Sequence, residues 1–193
     1  MAQLSEKGPT KKESILNAAI GVFGQFGFQK TSVDDIAEAA HLSKQGLYLH
    51  FSSKQEIFLA SLQKYLDDGL ILVQEELSKG NSSLYDRLLG AMDAWFGRHY
   101  ATFSPKSFDI IKTGNSISGV QIEKYKDMFR SKIAKAIAES TEFKRSKNIY
   151  SPKEISQVLF LCGLTWKEED VTSRADLIKK FGLCIRVCCQ IET

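Results

Sequence analysis

Between Ala40 and Gln55 the chain carries Lys44, Gln45, Tyr48, His50 and Lys54 and no acidic residue, whereas Asp34, Asp35 and Glu38 crowd the segment just before it. Cationic and neutral hydrogen-bonding side chains in such a run suit a nucleic-acid duplex, with ammonium groups for phosphate oxygens and amides for base edges. Gln45 has the paired donor and acceptor that match an adenine edge, while Lys44 suits guanine or phosphate. Tyr48 can present its hydroxyl to the sugar–phosphate backbone and its ring to a sugar or a thymine methyl, and His50 adds another phosphate contact. Lys54 falls in the first turn of a helix, where a cation opposes the helix dipole; its presence there makes sense with a phosphate between the two. Taken singly, Lys44, Gln45 or Lys54 reads as a solvated surface residue, and His50 beside Phe51 as a partly buried core histidine. The reading rests on their joint spacing.

These residues need elements to hold them. A first helix spans about Lys11 to Phe26, with the apolar stripe Ile15, Ala18, Ala19, Val22, Phe23 and Phe26, and Gly27 fits a left-handed stop. Thr31 and Ser32 can cap a short second helix, Ser32 and Asp35 being spaced as a capping box, and both can offer hydroxyls and free N–H groups to phosphate. After a break at His41-Leu42, Ser43 caps a third helix whose Leu47 and Phe51 point inward, and Gly46 lets it approach a duplex closely. Ser53 and Glu56 form a further capping box, opening a long fourth helix over Lys54 to Leu77. Two short helices about a tight break match a helix-turn-helix, whose second helix enters the major groove.

Helix 1 followed by Thr31-Ser32-Val33-Asp34-Asp35-Ile36-Ala37, then Leu42-Ser43-Lys44-Gln45-Gly46-Leu47-Tyr48-Leu49-His50-Phe51 and Ser53-Lys54, resembles the DNA-binding domain of the TetR family of bacterial transcriptional regulators. The resemblance covers about Lys11 to Leu62, with one departure at Leu49, where the family more often has an aromatic residue or His. It implies an all-α fold of about nine helices: a flexible arm over 1–10, a three-helix helix-turn-helix domain over 11–54, and a helical effector-binding and dimerisation bundle over 55–193. It also implies a ligand-released repressor, dimeric through its last two helices, on a pseudo-palindromic double-stranded operator. Recognition helices of such a dimer lie ~34–36 Å apart. The DNA-contacting positions are then Thr31, Ser32, Ser43, Lys44, Gln45, Gly46, Tyr48, His50 and Lys54.

The remaining chain also reads as helix, over about Leu84 to Thr102, a short stretch from Ser104-Pro105 holding Phe108 and Ile111, Val120 to Ala138, Ser151 to Trp166, and from Ser173 nearly to the end. Ser151-Pro152-Lys153-Glu154 combines a cap, a first-turn proline and a capping-box glutamate. Candidate effector contacts are Tyr65, Trp95, Phe96, His99, Tyr100, Phe103, Phe108, Met128 and Trp166, and such a pocket would favour an apolar or aromatic ligand; aromatics at helical spacing equally make an ordinary core. Leu177, Ile178, Phe181, Cys184, Ile185, Cys188 and Cys189 form a stripe too wide for one neighbouring helix, and Gly163 and Gly182 permit close helix approach.

At 193 residues, 43% hydrophobic and 25% charged, the chain is of globular composition, and its net charge of +3 does not by itself announce a nucleic-acid binder. No apolar run reaches the ~18 residues of a bilayer span, and Met1 to Lys12 lacks a signal-peptide core, so a soluble, cytoplasmic protein without membrane contact is expected. The four cysteines, Cys162, Cys184, Cys188 and Cys189, make no metal-finger spacing, and no metal or cofactor is expected. Gly114 to Gly119 only brushes against a nucleophile elbow, and with no phosphate or dinucleotide loop the chain reads as no enzyme, with no catalytic residue. A helical adaptor with a vestigial helix-turn-helix and an oxidation sensor built on the late cysteines are the competing readings.

Overall fold

The computed structural model describes residues 8–103, 110, 113, 122–169 and 173–191. All regular structure among them is helical, and no helix of theirs is long and apolar enough to cross a membrane. The described residues fall into two compact units, one drawn from Met1–Tyr65 and Thr102–Gln121, the other from Leu66–Ala101 and Ile122–Thr193. The short helix expected after Ser104 and the loop Gly114–Gly119 lie outside the described residues.

In the first unit α1 (Lys11–Lys30) starts at a reciprocal cap. Glu13 N–H donates to Thr10 Oγ1 at 3.2 Å, and the Glu13 carboxylate accepts from Thr10 N–H at 2.7 Å. Ile15, Leu16, Ala19 and Phe23 are its buried face, whereas Phe26 points outward, against expectation. The reason is Gly27, at φ 79°, ψ 165°, a conformation essentially reserved to glycine but not the left-handed helical one expected. This reversal brings Phe28 rather than Phe26 to the core, 6.0 Å from the Phe23 ring and 4.9 Å from that of Phe58. Gly24 has a separate reason: a Cβ there would collide with the Thr102 carbonyl oxygen.

Helix α2 (Val33–Ala39) begins at the expected Ser32–Asp35 capping box and buries Ile36 and Ala37. It ends without glycine. His41 takes positive φ (53°), its N–H donates to Glu38 O at 3.0 Å, and Leu42 N–H donates to Ala37 O at 2.9 Å. These two bonds make a Schellman motif with histidine in the left-handed place. Helix α3 (Lys44–Tyr48) follows, capped by Ser43, whose Oγ accepts from Gly46 N–H at 3.0 Å, with Leu47 fully buried. Helix α4 (Lys54–Leu77) starts where Ser53 Oγ accepts from Glu56 N–H at 3.1 Å. The Glu56 carboxylate does not close the expected box on Ser53 but accepts from Ser52 N–H and Oγ at 2.7 and 2.6 Å.

The helix expected over Leu84 to Thr102 is broken: α5 (Leu84–Met92) and a π-helical turn over Asp93–Gly97 in the second unit, then α6 (His99–Thr102), whose last residue, Thr102, belongs to the first unit. The wider turn sets the consecutive Trp95 and Phe96 both inward, and Arg174 grips Asp93 at its start with two bonds of 2.7 and 2.6 Å. Helices α7 (Ile122–Glu139), α8 (Thr141–Arg145), α9 (Pro152–Glu169) and α10 (Arg174–Cys189) complete the second unit. Helix α8 was not anticipated; Ser140 caps it, and its Glu142 accepts the Leu84 N–H at the start of α5, at 3.1 Å. Helix α9 opens at the expected Ser151–Glu154 box and runs past Trp166. Rings of Phe96, Phe129, Phe160 and Phe181 meet at 5.4–5.8 Å between centroids and form the centre of the unit.

Candidate nucleic-acid interface

The residues expected to meet a duplex divide into those presented to solvent and those the fold holds for itself. Gln45, Tyr48, Leu49 and His50 are all exposed, Tyr48 to 46% and Leu49 to 85%, while Leu47 and Phe51 on the opposite side anchor α3 in the core. Exposure of His50 sets aside its reading as a core histidine. Ser32 and Ser43 are exposed caps, each accepting one backbone N–H at about 3 Å. Hydrogen bonds from Ser32 hold the Asp35 carboxyl below the ordinary aspartate value of 3.8.

Two expectations need correction. Thr31 is only 2% exposed and its hydroxyl donates to Gly27 O at 2.7 Å, so that group fastens the end of α1 and is not offered to phosphate. Lys54 is not a free cation. Its Nζ donates to Phe28 O at 3.0 Å and Thr31 O at 2.9 Å, and lies 4.5 Å from the centre of the Phe28 ring. Carbonyl oxygens left unpaired at the end of α1, not a phosphate, therefore account for a lysine at this position. At Gly46 a Cβ would sit 3.3 Å from Ser43 Oγ and 3.7 Å from Leu42 Cδ2, so the glycine makes room for the helix's own cap.

Lys44 stands between these cases. Its Nζ is 2.8 Å from Asp34 Oδ2, a hydrogen-bonded pair exposed on both sides, and this bond raises the lysine pKa. A phosphate would have to draw the ammonium away from Asp34. Asp34→Asn should therefore tighten binding to any duplex by a few-fold and steepen its salt dependence, read by fluorescence anisotropy across a salt series. Unchanged affinity and slope would mean that Lys44 does not reach phosphate.

The aromatic candidates separate as well. Tyr65 packs edge-on against Phe103 at 5.1 Å in the first unit. Trp95 stacks on Phe129 at 5.0 Å, Phe96 lies in the four-ring centre, and Trp166 meets Phe181 at 5.3 Å, all in the second unit. His99 and Tyr100 are half-buried, Met128 faces outward on α7, and Phe108 lies outside the described residues. Gly163 leaves space for the Phe96 and Phe181 rings and Gly182 for the Tyr85 hydroxyl, so both serve packing within the unit. Of the late cysteines, Cys184 lies 3.9 Å from Cys162, and burial pushes the Cys184 and Cys189 thiols up to about 12. Thiols held protonated in this way are poor nucleophiles, which favours packing over oxidant sensing.

Sequence reasoning missed an apolar face. Leu177, Phe181, Ile185 and Cys189 of the α10 stripe are buried within the unit, but Leu183 and Val187 project outward, 63% and 66% exposed. Val158 and Leu161 of the neighbouring α9 are exposed in the same manner. The i, i+4 and i, i+3 spacings of these pairs were the available signal.

Residues 15–61 match the family profile "Bacterial regulatory proteins, tetR family". Over 57 residues, 30% of the chain, the protein is 46% identical to the HTH-type transcriptional regulator RutR of Escherichia coli K12, spanning 27% of RutR's length. It is 30% identical over 179 residues to the biofilm operon icaADBC HTH-type negative transcriptional regulator IcaR of Staphylococcus aureus Newman, covering 89% of this chain and 87% of IcaR. The fold resembles the reduced form of E. coli NemR, with a TM-score of 0.71 at 18% identity over 95% of this chain and 99% of that one.

Proposed function

Because the chain belongs to the TetR family of bacterial regulatory proteins, we propose that it is a transcriptional repressor that binds a pseudo-palindromic operator as a homodimer and is released by a small effector. The observation that carries the DNA reading is the exposed face of α3, with Gln45 and Tyr48 one turn apart and the capping serines Ser32 and Ser43 flanking it. Repression, rather than activation, is supported by the negative regulator IcaR, which this chain parallels over most of its length. The helix-turn-helix function is assigned to residues 11–54 and effector binding with dimerisation to 55–193.

For the dimer, the exposed Val158, Leu161, Leu183 and Val187 give two adjacent helices an apolar outer face that a second copy would bury. For the effector, an apolar or planar compound is the class that the aromatic side chains of the second unit would take if the bundle opened around it. Anisotropy of labelled duplexes tests the core of the proposal. Gln45→Ala should change which base pairs are preferred, losing on the order of 1–3 kcal/mol of discrimination at one position per half-site. Identical base preference in wild type and variant would remove α3 from the role of reader.

A further inference from the structure

We infer that Leu49 is a base-reading residue and that, together with Gln45, it makes the interface select A·T pairs, with a thymine methyl group as the feature recognised. The inference rests on the DNA-binding reading above and adds to it a residue and a base-pair class. Gln45, Tyr48 and Leu49 stand at i, i+3 and i+4, and Leu49 keeps right-handed helical backbone as the C-cap of α3 (φ −68°, ψ −19°). The three side chains therefore share one face. Helix α3 is anchored through Leu47, which is fully buried, and through Phe51 beyond it, so the fold makes no use of the Leu49 isobutyl group, 85% exposed.

The charges that could otherwise dominate this face are engaged at its margins. Lys44 is paired with Asp34 at 2.8 Å, and Lys54 is held by the Phe28 and Thr31 carbonyls. What the reading face presents is an amide, a phenol and a branched alkyl group. Leucine has no donor or acceptor to set against the N7, O6, N6 or N4 edges of the bases, and the apolar feature of the major groove is the C5 methyl of thymine. One turn earlier, Gln45 offers the donor–acceptor pair that fits adenine N6 and N7. Side chains that face the same way reach neighbouring pairs of one half-site, so both preferences point to A·T there.

Deoxyuridine differs from thymidine only by that methyl, which makes the test direct. Duplexes are enriched from a random-sequence library on the full-length protein, and the consensus is resynthesised with deoxyuridine replacing each thymidine in turn. Affinities are then measured for wild type and Leu49→Ala. The expected result is one thymidine per half-site whose loss of methyl weakens wild-type binding roughly three- to four-fold. At that position Leu49→Ala binds both forms alike, with thermal stability unchanged because the side chain supports no packing. Uracil substitution without effect at every position, or an equal effect in Leu49→Ala, would overturn the assignment while leaving DNA binding in place. Failure to enrich any duplex, even at low salt, would overturn it together with the regulator reading.

Discussion

Leu183→Glu is expected to give a folded monomer whose operator affinity falls by at least about 100-fold, the avidity lost when two linked half-site contacts become one. Leu183 and Val187 are the exposed large apolar residues of α10, one helical turn apart, and Val158 and Leu161 continue the same character on α9. A carboxylate set into an apolar contact between two copies would be desolvated there without a partner in either copy. Within the protomer the change should be nearly neutral, because this side chain lies outside the core built by Leu177, Phe181, Ile185 and Cys189. Light scattering, thermal melting and operator binding on one sample separate these effects. A variant that remains dimeric at micromolar concentration and still grips its operator would show that the outer face of α10 is not where copies meet.

Lys54→Met should lower the melting temperature by roughly 5–10 °C, from the loss of two charge-assisted hydrogen bonds that contribute about 2–4 kcal/mol together. Methionine preserves the length of the side chain and a soft contact with the Phe28 ring, but leaves the Phe28 and Thr31 carbonyls without the ammonium that now bridges them. The same substitution at Lys44, which pairs with the exposed Asp34, should leave melting unchanged and reduce the salt slope of duplex binding by about 1. If Lys54→Met instead melts like wild type and loses one unit of salt slope, the lysine is a phosphate ligand after all.

This pair shows where sequence reading reached and where it stopped. Features written in residues three or four apart were legible: the Ser32–Asp35 and Ser151–Glu154 boxes, the Ser43 cap, and the inward Leu47 and Phe51 are all in place. Each is a local hydrogen bond or a helical period, so the spacing alone contains it. The role of Lys54 was not, because its partners lie 26 and 23 residues earlier and exist only once α1 has ended. Thr31 failed similarly: a hydroxyl placed to cap α2 is also placed to bond back to Gly27, and packing decides between them. The π-helical turn escaped because nothing in the side chains of Asp93–Gly97 separates it from ordinary helix until Arg174, 81 residues on, takes hold of Asp93. Phe26 and Phe28 exchanged roles for want of one dihedral at Gly27.

The joint between α2 and α3 has a consequence for how fast and how sharply such a protein could find its site. His41 holds there a positive φ that costs a non-glycine residue roughly 1–2 kcal/mol, and backbone bonds from His41 and Leu42 to the end of α2 hold it in place. Were α3 held at this pitch before any encounter, little orientational freedom would be surrendered on docking, and contact with a wrong sequence would not be softened by a swivel. Selectivity would then show itself chiefly as swift departure from mismatched tracts rather than as slow adjustment to the right one.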